Sequence, residues 1–263
     1  MKYLITGASG GMGRALCAAL SAAGHEVWAL DRILPEAAPF VHVIQADLRS
    51  EEELEESCRR IREEAVNLDG IIHMAGIYDL NSLVEMPEED LLRIFDVNLF
   101  GTARLNRLAL PLLNPGGRIV MVSSELAPLR PLPFTGIYAV TKAAVEKYAC
   151  SLRMELQLLG YPVILIRPGA VRTGMLPEST AKLDRFCETT ALYRTNAARF
   201  RAIVNRVEAR SVSPEILCRT VVKALAARCP RLCYCVNRNP LLLLLDILPE
   251  RFRLRIIRAI LKP

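Results

Sequence analysis

Short apolar runs alternate with longer stretches of 3.6-residue periodicity along most of the chain. The runs Lys2–Ile5, Glu26–Leu30, Val41–Gln45, Gly70–Met74, Arg118–Val122, Pro162–Ile166 and Leu232–Val236 have the length of strands. Each is apolar on both faces, as in a sheet that helices cover on both sides. Between them the periodicity predicts helices over Met12–Ala23, Ser50–Val66, Pro87–Leu113, Gly136–Leu159 and Pro214–Arg228. Ser50 followed by Glu51, Glu52 and Glu53 suits a helix N-terminus, because the hydroxyl accepts from free amides and the carboxylates face the positive dipole end. Ser213-Pro214 is a second start signal, with proline at the first helical position. Strand, crossover helix and strand in series predict a single α/β domain: a doubly wound parallel sheet of about seven strands with helices on both faces. Residues 171–210 break the alternation and read as an irregular insertion. Residues 240–263 alternate leucine and isoleucine with Arg251, Arg253, Arg255 and Arg258, which predicts a basic amphipathic helix or pair of helices.

Composition narrows the class. The chain has 263 residues, 52% hydrophobic and 24% charged, enough apolar content to bury a core without staples. This excludes disorder, collagen-like repeats and disulfide miniproteins. The net charge of +6 hides an asymmetry: residues 1–188 carry 19 basic and 24 acidic side chains, residues 189–263 carry 15 and 4. A basic end attracts anionic partners such as a membrane surface, or is a solvated face. A nucleic-acid partner is not expected, because 7 Phe, 7 Tyr and 1 Trp accompany no recognition motif. The eight cysteines are scattered, and Cys229, Cys233 and Cys235 fit no zinc spacing. They read as reduced thiols of a cytoplasmic protein. No signal-peptide core follows Met1-Lys2, and no window approaches the roughly 20 apolar residues of a spanning helix.

The first strand runs into Thr6-Gly7-Ala8-Ser9-Gly10-Gly11-Met12-Gly13. Glycines there permit a tight turn and close approach of a diphosphate, which the next helix meets with its N-terminal amides. Asp31, about 20 residues on, can accept from ribose hydroxyls and would repel a 2′-phosphate, which favours NAD. Arg32 beside it could hold that phosphate instead, so NADP stays open. Asp47, after the third strand, can accept from an adenine amino group or cap a helix.

Tyr138 and Lys142 stand four residues apart on a predicted helix, so they share a face. A free phenol has a pKa near 10 and is a poor base at neutral pH. A neighbouring ammonium, with an oxidised nicotinamide, would stabilise phenolate. Ser123-Ser124 close the fifth strand at the carboxyl end, where such sheets bind ligands. Asn98 lies inside a predicted helix where asparagine has poor propensity, and its amide could hold a water near Lys142.

With these pieces the chain resembles the short-chain dehydrogenase/reductase family in its compact, single-domain form. The resemblance rests on Thr6-Gly-x-x-x-Gly11-x-Gly13, Asp47, Ala75-Gly76, Asn98, Ser124, Tyr138-x-x-x-Lys142 and Pro168-Gly-x-x-x-Thr173, and covers residues 2 to about 175. It implies a Rossmann-type enzyme interconverting an alcohol and a carbonyl with NAD or NADP. Tyr138 would be the acid/base, Lys142 would lower its pKa and bind ribose, Ser124 would place the substrate oxygen, and Asn98 would support a proton relay. Thr6, Gly7, Ser9, Gly11, Met12, Gly13, Asp31, Arg32, Asp47, Leu48, Ala75, Gly76, Pro168, Gly169, Val171 and Thr173 would contact the cofactor beside Tyr138 and Lys142. A homodimer through the helices bearing Asn98 and Tyr138, or a tetramer, is implied as well.

Two departures stand out. His73-Met74 replace the two asparagines usual before Ala-Gly, and His73 is expected to tie neighbouring strands in their place. Ser124 and Tyr138 are 14 positions apart, with the extra residue in the loop Pro128–Pro133. Apolar Met175, Leu176, Leu183, Phe186, Leu192 and Tyr193 suit a lid over a bulky hydrophobic substrate, or an ordinary interface between helices. The blocks around Ser124 and Ser151 look most like the hydroxysteroid and retinol dehydrogenase branch, with a fatty-acyl carbonyl or a sugar alcohol as alternatives. A catalytically silent nucleotide sensor or membrane-surface scaffold on the same fold is the competing reading. The basic tail can lie on lipid, or pack on the sheet or a partner subunit.

Overall fold

The computed structural model describes residues 1–65, 67–173, 175–208 and 210–262, without the side chains of 175–180 and 208. Seven parallel strands form one sheet in the order β3-β2-β1-β4-β5-β6-β7. They are β1 (Lys2–Thr6), β2 (Glu26–Asp31), β3 (Val41–Gln45), β4 (Leu68–His73), β5 (Leu113–Val122), β6 (Val163–Pro168) and β7 (Cys233–Val236). The helices are α1 (Gly11–Ala22), α2 (Glu51–Ala65), α3 (Glu88–Phe95), α4 (Gly101–Ala109), α5 (Gly136–Leu156), α6 (Met175–Thr189), α7 (Arg194–Glu208), α8 (Pro214–Ala226), α9 (Pro240–Ile247) and α10 (Glu250–Leu261). The predicted doubly wound α/β sheet is thus the fold.

Successive strand residues serve opposite layers, the consequence of the two-residue period. Leu4 of β1 enters a core with Leu54 and Ile61 of α2, Leu105 of α4 and Val145 of α5. Its neighbours Tyr3 and Ile5 enter the other core, with Leu16 and Leu20 of α1 and Leu217 and Val221 of α8. A third cluster stands apart from the sheet, built from Leu80, Leu183, Phe186, Ala197, Phe200 and Leu261. The α2 start behaves as predicted: Ser50 Oγ accepts from the Glu53 amide at 3.2 Å, ahead of the first-turn acids.

Two expectations change. The single helix over Pro87–Leu113 is α3 and α4 joined by a π-helical turn, Asp96–Phe100, and ends in a 3₁₀ turn from which β5 starts at Leu113. The insertion is not irregular but holds the helices α6 and α7, whose apolar residues pack on each other rather than on the sheet. The tail is a helix pair, and α10 packs on α7 through Ile257 and Leu261. Among the described residues no helix is long and apolar enough to cross a membrane. All eight cysteines are free, and burial pushes the Cys17 thiol up to about 12.

Candidate active site

The strand order reverses between β1 and β4, so the connections leave a crevice beyond their carboxyl ends. A cleft of about 430 Å³ opens there. The glycine loop forms its floor. Gly7 has φ +69°, and a Cβ on it would lie 2.5 Å from the Ala75 amide nitrogen. A Cβ on Gly13 would lie 2.0 Å from the Gly7 carbonyl oxygen, so the first turn of α1 can press on the loop only without a side chain there. Buried Thr6 braces this floor from below, its Oγ1 accepting from the Ala75 amide at 3.3 Å. Ser9, Gly11 and Met12 line the cleft; Thr173 closes over Gly11, where a Cβ would meet the threonine Cβ at 2.8 Å.

The far wall carries the charges. Asp31, Arg32, Asp47 and Leu48 line it, together with Arg49 and Arg93. The Asp31 carboxylate accepts from the Ser9 amide at 3.0 Å and the Ile33 amide at 3.2 Å, so it fixes the loop against the end of β2. Asp47 does not cap α2; Ser50 does. Its carboxylate instead takes the Arg49 guanidinium at 2.7 Å, which holds it below the usual carboxylate range. Sequence reasoning missed Arg49, since one more arginine in a turn carries no pattern.

A second cavity of about 200 Å³ shares Met12, Met74, Gly76 and Thr173 with the cleft, so the two are continuous. Ser124, Tyr138 and Lys142 line it, and so do Pro168, Gly169 and Val171. Ser124 lies two residues beyond the end of β5, and its hydroxyl hydrogen-bonds Tyr138. Tyr138 and Lys142 sit one turn apart on α5, the ammonium 5.9 Å from the phenol ring centre. Lys142 Nζ donates to the Val122 carbonyl at 2.9 Å, and burial lowers its pKa to about 8. Burial pushes the Tyr138 phenol up to about 12, against the lowering contributed by Ser124. The lowering expected from Lys142 is therefore not produced by these side chains alone, because the ammonium is turned toward a backbone carbonyl.

Asn98 lies in the π turn. Its Oδ1 accepts from the Ile77 amide at 2.8 Å, and its Nδ2 donates to the Ile77 carbonyl at 3.0 Å and to Thr141 Oγ1 at 3.1 Å. A Cβ on Gly76 would lie 3.2 Å from Lys142 Nζ and 3.3 Å from Asn98 Oδ1, so all three groups meet at that turn. These contacts clamp residues 76–77 against α5; the relay expected of Asn98 needs the second lone pair of Oδ1.

Other residues support the site without a motif to announce them. Glu146, one turn after Lys142, accepts from Ser123 Oγ at 2.8 Å and takes a bidentate pair from Arg167, 2.6 Å on each oxygen. Tyr78 stands edge-on to Tyr138, ring centres 4.5 Å apart. Glu125 Oε2 accepts from the Asn239 amide at 2.7 Å and so ties the residue after Ser124 to the start of α9. His73 is not a strand tie: its Nε2 pairs with Asn106 Oδ1 of α4 at 2.8 Å, and Asn106 Nδ2 reaches Tyr148 OH of α5 at 3.2 Å.

Of the two readings of the apolar residues after Gly169, packing between helices describes Leu183, Phe186 and Tyr193. Leu183 and Phe186 face the interior of the third cluster, Tyr193 stacks edge-on to Phe134, and Leu192 is exposed. Met175 and Leu176 have side chains outside the described residues. The apolar wall comes from α7 and the tail: Phe200, Ile203, Val204, Val207 and Leu242.

Comparison with known proteins agrees with this geometry. A family model described as short chain dehydrogenase matches residues 2–184. A 3-ketodihydrosphingosine reductase of Bacteroides thetaiotaomicron is 26% identical over 229 residues, 86% of this chain and 84% of that one. Estradiol 17-beta-dehydrogenase 2 of Mus musculus is 32% identical over 185 residues; the match spans 65% of this chain and 48% of that protein. A Burkholderia cenocepacia short chain dehydrogenase solved in complex with NADP superimposes with a TM-score of 0.75 at 22% identity, covering 100% of this chain and 98% of that one. With 183 consecutive residues matched by the family model, and the glycine-floored cleft running into the Tyr138 cavity, the chain belongs to the short-chain dehydrogenase/reductase family of oxidoreductases.

Proposed function

We propose that the protein interconverts a secondary alcohol and a ketone, or an alcohol and an aldehyde, on a bulky hydrophobic substrate. The observation that carries this is the continuity of the glycine-floored cleft with a cavity holding Ser124, Tyr138 and Lys142. The dinucleotide would lie on Gly7, Gly11 and Gly13 beneath Thr173, and when bound it supplies or accepts the hydride. Asp31 at the rim favours NAD, since a second anion would face its carboxylate, and no loop residue before Gly13 is basic.

The side chains then divide the work. Tyr138 protonates the developing alkoxide in reduction and takes the hydroxyl proton in oxidation. Its own pKa disfavours the phenolate, so oxidation would need positive charge beside the phenol, which Lys142 and, when bound, an oxidised nicotinamide would supply. Ser124 donates to the substrate oxygen, a bond that strengthens as negative charge develops there. Asn98, bonded to Ile77 and Thr141, holds the turn that faces Lys142.

The wall of Phe200, Ile203, Val204, Val207 and Leu242 supports a long or polycyclic apolar substrate. The sphingoid and steroid substrates in the relatives' names are of that kind. Exposed Leu92, Phe100, Val140 and Met154 on and around α3–α5 support a homodimer through these helices. The test is a screen of reduced-nicotinamide absorbance with NAD and NADP against steroids, retinoids, long-chain alcohols and sugar alcohols. Apolar alcohols with NAD should give the highest kcat/KM. Turnover confined to polyols, or with none of these substrates, overturns the proposal.

A further inference from the structure

We infer that α9 and α10 form a docking surface for an anionic lipid bilayer, laid against the mouth of the Tyr138 cavity. The two helices are apolar on two sides at once. On α10, Ile257 and Leu261 pack into the third cluster against α7. Phe252, Ile256 and Ile260, spaced by four residues, form a separate stripe that faces outward, with relative exposures of 58%, 39% and 50%. On α9, Leu242 lines the substrate cavity, while Leu241, Leu244 and Ile247 point away from it at 61%, 56% and 76% exposure. Isolated exposed leucines are ordinary, but six large apolar side chains in two consecutive helices make a ridge that water does not favour.

Charge selects the occupant. Arg255 and Arg251 are exposed on α10 on the side next to the Phe252 edge of the stripe, Arg258 is exposed farther round the helix, and α7 adds exposed Arg194 and Arg206. Among residues 189–263 basic side chains outnumber acidic ones by 15 to 4. An apolar stripe flanked by arginines lies in the plane of an anionic interface, apolar residues among the acyl chains and guanidinium groups at the headgroups. A second copy of the chain is the poorer occupant, because two such basic faces would repel.

The placement couples the surface to the site. Glu125, next to Ser124, holds the Asn239 amide at the start of α9, and the Arg130 amide donates to Asp246 Oδ1 at 2.8 Å. The helix that presents Leu241 and Leu244 outward is thus fastened to the catalytic loop, and Leu242 forms part of the cavity wall. An apolar molecule dissolved in the bilayer would reach the cavity along α9.

The test uses the full chain and vesicles, and does not depend on knowing the reaction. Sedimentation with phosphatidylcholine vesicles containing 30% phosphatidylglycerol should pull down the protein, with binding at least tenfold weaker to pure phosphatidylcholine or in high salt. Leu244→Glu with Phe252→Glu, or Arg251→Glu with Arg255→Glu, should each weaken binding by at least tenfold while size-exclusion elution stays unchanged. Phe252→Trp provides a reading that does not depend on disruptive variants, because the native Trp28 is fully buried and silent to lipid. Its emission should shift to the blue on adding anionic vesicles. No sedimentation with either vesicle, no shift for Phe252→Trp, or glutamate variants that alter the oligomeric state and leave lipid binding intact each overturn the inference.

Discussion

Acid should unfold this protein in part through one imidazole. His73 is 3% exposed, and burial lowers its pKa to about 4 from 6.5. The unfolded chain binds a proton at pH 6 that the folded chain refuses. The neutral imidazole therefore contributes stability that is complete above pH 6.5 and is lost as pH falls through 4. The shift of about 2.5 units corresponds to roughly 3 kcal/mol, of which about 2 kcal/mol is gone by pH 5. Replacing His73 by Asn removes the titration. The variant loses packing volume and its bond to Asn106, so it should be less stable at pH 7.5, by about 1–3 kcal/mol. Its stability should then fall less steeply with acid than that of the native chain. Urea unfolding at pH 7.5, 6 and 5 measures both slopes, and carboxylates common to the two proteins cancel in the difference. Parallel slopes between pH 7.5 and 5 would refute the reasoning.

Two further outcomes follow from the geometry. Glu146→Ala leaves the partly exposed Arg167 guanidinium without its partner and takes the acceptor from Ser123, which should cost about 2–3 kcal/mol, read as a drop in Tm of about 8 °C by calorimetry. Gly13→Ala forces a Cβ onto the Gly7 carbonyl, so dinucleotide affinity measured by titration calorimetry should fall at least 100-fold, and unchanged affinity would remove the loop from the nucleotide site.

The five inner strands are legible in the sequence because strands buried on both faces must be apolar, while the half-buried edge strands β3 and β7 are legible only as short apolar-rich runs between helical stretches. The glycine loop and the Tyr138–Lys142 spacing are legible for a similar reason: each local geometry demands particular residues at fixed offsets. The π turn at Asp96–Phe100 is not, since no proline or glycine within it marks it, and it depends on Asn98 reaching Ile77 and Thr141 across the fold. Nor is the cavity wall. Leu183 and Phe200 look equally suited to face a substrate, and only the packing of α6, α7 and α10 decides that one enters the cluster while the other also borders the cavity. The pair Glu146–Arg167 brings together residues 21 apart that carry no joint pattern. The Tyr138 pKa is misjudged from spacing alone, because the direction in which Lys142 points is set by the Val122 carbonyl.

The proton-transfer role proposed for Tyr138 is tested most directly by removing its hydroxyl. Tyr138→Phe should retain dinucleotide affinity within about threefold, while turnover on the best substrate from the screen falls by roughly 10³-fold. Turnover close to that of the native enzyme, with the same affinity, would contradict the account.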